Sequence, residues 1–220
     1  MRKDNGSKGS PIWLLGDSMP TRWAKVLNGP FDPRHPARHS IWTPVVEVLQ
    51  DDLFRKAGRR LDTTSLYVRN AIESAGDKPK NTEVDWSATV TREIDSLGQD
   101  LDRHRPPLLI SFGAFAYEFS RRAREEQPHR PHKYWGAKRL GEDFRKHVGG
   151  FDVRIVNVLP LLHATIARGK FIESHEYFCS VENANYFDAV GHAIGELLLT
   201  HALDLPIWID REESGNRPLA

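Results

Sequence analysis

Four short apolar runs, separated by segments of helical periodicity, constrain the fold of this chain most strongly. The runs are residues 11–15, 65–69, 108–112 and 152–159. The helical segments are one capped by Ser40 with Pro44 in its first turn, one over 87–103, one from Ala114 onward and one over 183–202. Apolar strands that alternate with helices build a mostly parallel sheet with helices on both faces. The sequence therefore predicts an α/β fold, a single domain with a central four-stranded, mostly parallel sheet flanked by helices.

The length of 220 residues suits one domain with a sizeable core. The polar residues 1–10 are expected to form a disordered tail, residues 11–205 the α/β domain and residues 206–220 a second tail. One segment, 121–147, is locally basic, with nine Lys or Arg against four Asp or Glu. It is interpreted either as a solvated loop or as a nucleic-acid-binding face, and the sequence leaves both readings open.

Charge and cysteine content narrow the function classes. The net charge is +1, so no global field marks the chain as a nucleic-acid binder. The single cysteine, Cys179, excludes an internal disulfide, a four-cysteine zinc site and an iron–sulfur cluster. No run approaches the roughly 18 apolar residues of a transmembrane helix. These features predict a cytoplasmic protein that does not bind membranes.

Chemically active side chains follow two of the predicted strands. Gly16-Asp17-Ser18 comes directly after the first strand, and His163 comes shortly after the last. In open α/β sheets the ligand crevice lies outside the carboxyl ends of the strands. The sequence thus predicts a carboxylate, a hydroxyl group and an imidazole at a catalytic edge.

Five motifs in order resemble those of the uracil-DNA glycosylase superfamily, over residues 11–200. They are Gly16-Asp17-Ser18-Met19-Pro20, Pro30-Phe31, Val68-Arg69-Asn70, the apolar strand and Gly-x-x-Ala turn of Leu109–Ala116, and Leu159-Pro160-Leu161-Leu162-His163-Ala164-Thr165. The chain departs from the family in three places. The first motif has one extra residue before Pro20, and His163 is followed by Ala-Thr instead of Pro-Ser. Glu73 stands where the family often has a lysine.

The resemblance implies a DNA glycosylase, which flips a nucleotide out of the helix and hydrolyses its N-glycosidic bond to leave an abasic site. Asp17 is the candidate carboxylate that positions water, and His163 is the candidate donor to the departing base. Asn70 is expected to hydrogen-bond the base edge, and Phe31 to stack on the base. Each also has a structural alternative, as a turn residue or a core residue. The longer first motif leaves open whether Asp17 or Ser18 faces the pocket.

The residues after Pro20 and Phe31 bear on the choice of base. Classical uracil enzymes carry a bulky aromatic residue after the proline, whereas this chain has Thr21. Thr21, Arg34 and His35 are expected to line a roomy pocket for a C5-substituted pyrimidine. Glucosylated hydroxymethylcytosine of phage DNA is such a base, and a role in anti-phage defence follows from it. Repair of uracil or another deaminated base is the alternative.

The loop after His163 is expected to bind DNA, since relatives insert this loop into the minor groove and bind phosphates with it. The residues concerned are Thr165, Ile166, Arg168 and Lys170. An ordinary exposed basic loop is the alternative. The resemblance implies a monomer that acts on DNA without a metal ion or any other cofactor.

Two further readings come from other function classes. Leu14-Leu15-Gly16-Asp17-Ser18 also resembles the first block of GDSL/SGNH ester hydrolases, in which Ser18 would be the nucleophile. That reading needs a Gly-x-Asn-Asp block, which the chain lacks, and a C-terminal Asp-x-x-His. The nearest candidate pair, Asp188 and His192, has the wrong spacing. A catalytically inactive DNA-binding relative is the third reading.

Overall fold

The computed structural model describes residues 4–18, 26–27, 32, 34, 43–163, 176–179 and 185–210. The helices in these residues are α1 (Thr43–Ala57), α2 (Ala88–His104), α3 (Ala114–Ala123), α4 (Ala137–Gly149) and α5 (Tyr186–Thr200). The strands are β1 (Asp4–Asn5), β2 (Ile12–Gly16), β3 (Arg59–Leu61), β4 (Leu66–Asn70), β5 (Leu108–Phe112), β6 (Asn157–Leu161) and β7 (Trp208–Asp210). Short 3₁₀ helices at Ala75–Asp77 and His132–Tyr134 lie in the loops that border the candidate site.

A five-stranded sheet in the order β1-β4-β2-β5-β6 forms the centre of a single domain. β4, β2, β5 and β6 run parallel, with Gly16 opposite Asn70 and Phe112 opposite Leu161. Their carboxyl ends therefore meet at one edge of the sheet. The predicted α/β class and mostly parallel sheet are confirmed, and all four expected strands are present. The fifth strand, β1, pairs antiparallel with β4.

The strands form the buried core, as their continuous apolar sequences predict. Ile12–Leu15 of β2 are at most 1% exposed, and Leu108–Ile110 of β5 are equally buried. On one side, α1 and α5 pack so closely that a Cβ on Gly191 would lie 2.8 Å from the Val48 side chain. Only glycine fits at that crossing, because the packed interior leaves no room for an added methyl group.

The N-terminal residues 4–10 are ordered against the sheet, so the expectation of a disordered tail is wrong for them. The Tyr67 hydroxyl donates to an Asp4 carboxylate oxygen at 2.9 Å. Lys8 reaches Asp100 on α2 at 2.7 Å. These partners lie more than sixty residues away in the chain. The polar composition of the segment therefore gave no sign of them.

The last strand of the sheet starts later than its apolar sequence predicts, at Asn157 instead of residue 152. The Asn157 side chain donates to the carbonyl oxygens of Asp152 at 2.7 Å and Pro107 at 3.0 Å. These bonds fold residues 152–156 into a turn. A buried amide thus overrides the extended propensity of the preceding residues.

The basic segment 121–147 is also more ordered than a solvated loop. Its second half forms most of α4, which buries Leu140 and Phe144. A Cβ on Gly141 would lie 2.2 Å from the Tyr177 carbonyl oxygen, so this helix packs tightly against residues 176–178. Lys138, Arg139 and Arg145 of this helix are exposed, whereas Arg121 and Arg122 at the start of the segment are buried.

The predicted C-terminal tail is likewise partly ordered. Trp208–Asp210 pair antiparallel with Arg59–Leu61 to form a separate two-stranded sheet. Ile207, just before this strand, is fully buried. Residues 211–220 lie outside the described residues. No helix in the described part of the chain is both long and apolar enough to cross a membrane.

Candidate active site

Three of the sequence-predicted residues stand at the carboxyl ends of strands in the same sheet, β2, β4 and β6. Asp17 follows β2 directly, Asn70 is the last residue of β4, and His163 lies two residues after β6. A Cβ at Gly16 would lie only 2.6 Å from the Asn70 Oδ1 atom, so the Asn70 amide covers the backbone that leads into Asp17. The parallel register therefore brings Asn70 and Asp17 side by side at this edge.

Gly113 is the residue that lets His163 enter the site. Its φ of +91° is a conformation that favours glycine, and a Cβ there would lie 2.7 Å from the His163 Cβ. The Gly113 amide also donates to the Leu161 carbonyl at 2.8 Å, which continues the pairing of β5 and β6 past the sheet. The glycine turn after β5 thus fixes the position of the histidine.

The Asp17 carboxylate has two different oxygen environments. Oδ2 accepts a hydrogen bond within an ion pair from the Lys78 ammonium group. Oδ1 is buried and has no hydrogen-bond partner among the described residues. The Asp17 side chain is 12% exposed. An unsatisfied buried carboxylate oxygen is costly, so Oδ1 is an acceptor available to water or substrate.

Lys78 is a site residue that sequence reasoning missed. Its Nζ atom lies 5.1 Å from the centre of the Phe115 ring, in addition to the ion pair with Asp17. The motif resemblance puts a lysine at the position of Glu73, and Lys78 supplies an ammonium group from five residues further on. The motif comparison showed that a lysine is missing at position 73. The sequence of the loop 74–82, which contains both Lys78 and Lys80, does not indicate which lysine takes its place.

His132 is the second missed residue. It is 8% exposed, and its ring centre lies 5.5 Å from that of Phe115. Burial lowers the pKa of His132; the Lys78 charge lowers it further, whereas Asp17 opposes the change. Its buried Nδ1 atom has no hydrogen-bond partner among the described residues. The structure thus adds a neutral imidazole beside the Asp17–Lys78 pair.

The His163 imidazole is also held in its neutral form near pH 7. Burial is the main cause that lowers its pKa, and the Lys78 charge acts in the same direction, whereas Asp17 raises the pKa. A neutral imidazole has one N–H donor and one acceptor nitrogen. It can therefore donate a hydrogen bond to a developing negative charge without being a cation itself.

A fully buried carboxylate, Glu118, organises the segment that carries His132. It accepts hydrogen bonds from Arg121 at 3.1 Å and Arg122 at 3.0 Å on its own helix, α3. It also accepts from the Arg130 amide at 2.8 Å and from the Trp135 indole at 2.6 Å, on either side of the 3₁₀ helix. We call Glu118 and these four donors the Glu118 cluster. It fixes both ends of the loop that holds His132.

A single backbone bond joins the two loops that carry the missed residues. The Lys133 amide donates to the Asn81 carbonyl at 2.8 Å. The chain just after Lys78 is therefore held against the 3₁₀ helix that begins at His132. The position of both side chains depends on this contact between distant parts of the chain.

The remaining sequence-predicted residues divide into two groups. Ser18 is half-buried directly after Asp17. Arg34 is exposed, and its guanidinium group binds the buried Asp32 carboxylate at 2.7 and 2.9 Å, which raises the pKa of Arg34. The other predicted residues lie outside the described residues, namely Thr21, Phe31, His35, Thr165, Ile166, Arg168 and Lys170.

The residues that an ester hydrolase would need lie elsewhere. Asp188 and His192 both belong to α5, and the His192 Nδ1 atom lies 3.2 Å from Asp52 of α1. His192 therefore belongs to the contact between α1 and α5. In the part of the chain that the structure describes, no three His, Cys, Asp or Glu side chains cluster closely enough to hold a metal ion.

The site combines a half-paired carboxylate, an amide, an ammonium group and two neutral imidazoles at one sheet edge. This set suits a reaction in which positive charge develops near Asp17 while an anion departs toward neutral donors. No protein-family model matches this chain, and a search of curated proteins finds no relative. The chemistry of the site must therefore be argued from its own residues.

Proposed function

We propose that this protein is a DNA glycosylase, which hydrolyses the N-glycosidic bond of a flipped nucleotide and leaves an abasic site. The observation that carries the proposal is the presence of a largely buried carboxylate and a neutral imidazole at the same carboxyl edge of a parallel sheet. Asp17 has one free, buried oxygen, and burial keeps His163 uncharged. Glycosidic cleavage through a cation-like sugar needs a carboxylate near the sugar and a donor near the base.

Each side chain has a defined part in the proposed reaction. The C1′–N bond breaks, and its electron pair leaves with the base. Asp17 stabilises the positive sugar and orients the water whose oxygen bonds to C1′. His163 donates a hydrogen bond to the base oxygen on which negative charge develops. The water loses a proton, and the departing base takes one up, so the products are the abasic sugar and the neutral base.

Asn70 and Lys78 act around this pair. Asn70 presents both a donor and an acceptor, which matches the hydrogen-bonding edge of a pyrimidine. Lys78 holds the Asp17 carboxylate through Oδ2, so that Oδ1, which has no partner among the described residues, remains available to the attacking water. Lys78 is therefore a positioning residue in this proposal.

The proposed substrate is a pyrimidine enlarged at C5, with glucosylated hydroxymethylcytosine of phage DNA as the leading case. Thr21 in place of a blocking aromatic residue supports a roomy pocket. Size alone discriminates weakly, since one methylene group is worth about 1–3 kcal/mol. Hydrogen bonds to the added sugar would discriminate far better. Uracil remains the second candidate base because the same Asn70 amide can pair with it.

The test is a panel of labelled single- and double-stranded oligonucleotides and modified phage DNA, assayed for alkali-labile abasic sites. Asp17→Asn and His163→Ala are each expected to lower the single-turnover rate by about 10²–10³-fold with DNA affinity little changed. Asp51→Asn is the matched control, because Asp51 forms an exposed ion pair with Arg55 on α1.

The outcomes separate the candidate functions. Excision of the glucosylated base would support the enlarged pocket. Rapid excision of uracil alone would instead indicate a DNA-repair glycosylase that acts on uracil. Ester hydrolysis that is lost in Ser18→Ala and retained in Asp17→Asn would replace the glycosylase with the ester hydrolase. DNA binding without cleavage of any base in the panel would indicate the inactive relative.

A further inference from the structure

A second surface of the protein carries concentrated positive charge in a stretch of sequence that contains no acid; the next acids along the chain are Glu142 and Asp143 of α4. Residues 127–139 contain four Lys or Arg and no Asp or Glu. We call this set the cationic surface: Arg130, Lys133, Lys138 and Arg139. All four side chains are exposed, and none forms an ion pair with a carboxylate among the described residues.

Two highly exposed arginines elsewhere in the protein are paired with acids. Arg55 is 75% exposed and lies 2.6 Å from Asp51, and Arg154 is 84% exposed and lies 2.7 Å from Asp152. These pairs are typical of a solvated surface, in which opposite charges alternate. The cationic surface differs from these two sites because it has four exposed cations in a stretch of sequence without an acid.

An aromatic ring positions two of the four cations of this surface. The guanidinium carbon of Arg139 lies 4.0 Å from the centre of the Tyr134 ring, and that of Arg130 lies 5.0 Å from it. Arg139 also donates to the Tyr134 carbonyl oxygen at 3.0 Å. Two guanidinium groups held near one ring repel each other, and a bound anion would relieve that repulsion.

The start of α4 also holds positive charges in an unfavourable position. Lys138 and Arg139 lie in its first turn, where the helix dipole favours negative charge. Gly136 at the N-cap makes no side-chain hydrogen bond to the helix. Local stability would favour an acid and a capping side chain at these positions. Sequences that oppose local stability in this way are expected at functional sites.

The cationic surface borders the candidate active site directly. His132 and Lys133 are neighbours in one 3₁₀ helix, with His132 buried next to the Phe115 ring and Lys133 exposed. The Glu118 cluster holds this helix at both ends. The backbone that carries Lys133 is therefore held next to the site residue His132.

We propose that the cationic surface binds consecutive phosphates of a nucleic-acid backbone next to the nucleotide held in the candidate active site. The choice of DNA as the polyanion rests on the proposed function, whereas the charge and its placement do not. Several fixed cations spread along one face suit a polymer of phosphates better than a single phosphate, since a strand carries one charge about every 3.4 Å of helix axis.

The test measures how salt changes the affinity of the full chain for a fluorescent duplex and its single strand, by anisotropy. The two double variants are Arg130→Ala with Lys133→Ala, and Lys138→Ala with Arg139→Ala. The matched control combines Arg55→Ala with Arg154→Ala, which removes two exposed arginines elsewhere. Each phosphate contact contributes about 0.9 to the slope of log affinity against log salt for duplex DNA. Each surface variant is therefore expected to lower the slope by about 1–2 and the affinity near 0.1 M salt by about tenfold or more.

Equal affinity and slope in the wild type and both surface variants would overturn the proposal, and so would an equal loss in the control. Tighter binding to anionic phospholipid vesicles than to DNA would also overturn it. Because all four side chains are exposed, the thermal unfolding midpoints of the variants should equal that of the wild type, and this measurement excludes a folding defect. Abasic-site formation is measured separately. Salt-dependent DNA binding that needs the surface, without any excision, would keep this inference and refute the proposed glycosylase.

Discussion

Replacing Glu118 with glutamine tests the strongest electrostatic feature of the fold. The carboxylate is fully buried, and Oε2 accepts from the Arg121 guanidinium and the Trp135 indole, while Oε1 accepts from Arg122 and the Arg130 amide. Glutamine has the same shape but keeps only one acceptor oxygen. Two donors would then face an NH₂ group, and two arginines would lose their buried counter-charge.

The structure gives the expected magnitude. Hydrogen bonds to charged groups contribute about 1.5–3 kcal/mol each, and breaking a buried ion pair costs about 3–5 kcal/mol. The two estimates describe the same loss, so Glu118→Gln is expected to lower the free energy of unfolding by about 3–5 kcal/mol. For a chain of this size the unfolding midpoint would fall by about 6–20 °C, because each kcal/mol corresponds to about 2–4 °C.

Urea denaturation followed by far-ultraviolet circular dichroism measures this change. Glu126→Gln is the control, since Glu126 binds Arg121 at 3.1 Å but is 32% exposed, and a partly exposed ion pair is worth at most about 1 kcal/mol. The midpoint should shift strongly in Glu118→Gln with an unchanged slope. A Glu118→Gln protein within 1 kcal/mol of the wild type, or no more affected than the control, would refute the reasoning.

Three further results are expected. Gly113→Ala should lower the free energy of unfolding by about 1–3 kcal/mol and abolish activity that depends on His163, because the φ of Gly113 is +91° and an added Cβ would clash with His163. Gly149→Ala is the control, since open space surrounds Gly149, and it should be neutral or stabilising. Similar free energies of unfolding for both variants in urea denaturation would contradict this prediction. Lys78→Met should slow single-turnover excision because it frees the Asp17 carboxylate to reorient, and Lys78→Arg should restore part of the rate; a full rate in Lys78→Met would refute the positioning role. Burial lowers the pKa of His132 and His163, so below about pH 6.5 the unfolded chain binds protons that the folded chain does not. The free energy of unfolding should therefore keep its full value above about pH 6.5 and fall below that pH, by at most about 1.4 kcal/mol per pH unit for each histidine. Urea titrations that give the same free energy of unfolding down to about pH 5 would contradict this prediction.

Asp17, Asn70 and His163 could be grouped from the sequence because each follows an apolar run, and parallel strands place their carboxyl ends together. Lys78 and His132 could not be grouped in this way. They reach the site through loops whose course depends on the Lys133–Asn81 backbone bond and on the Glu118 cluster. Those contacts join residues far apart in the chain, and no local periodicity reports them.

The first strand shows the same limit at the level of the fold. β1 has only two residues, which is too short for any alternation pattern, and its partners on β4 are set by tertiary contact. The late start of β6 has a similar cause, because the Asn157 amide folds the residues before it. Apolar runs predicted the presence and the chain order of the four main strands. Polar contacts between distant residues instead determine where β6 begins and which segment pairs with the outer edge of β4.

The small strand β1 also determines what the outer edge of the sheet offers to other molecules. Without Asp4–Asn5, the outer side of β4 would present unpaired N–H and C=O groups, and such an edge is a template for pairing with another chain. Gly6 allows no side chain here, since a Cβ would lie 2.1 Å from the Leu66 carbonyl oxygen. Residues 4–6 therefore cover the edge of the sheet and prevent its pairing with another chain. A version of the chain that began at Pro11 would expose β4 as a site where a second copy adds its own strand.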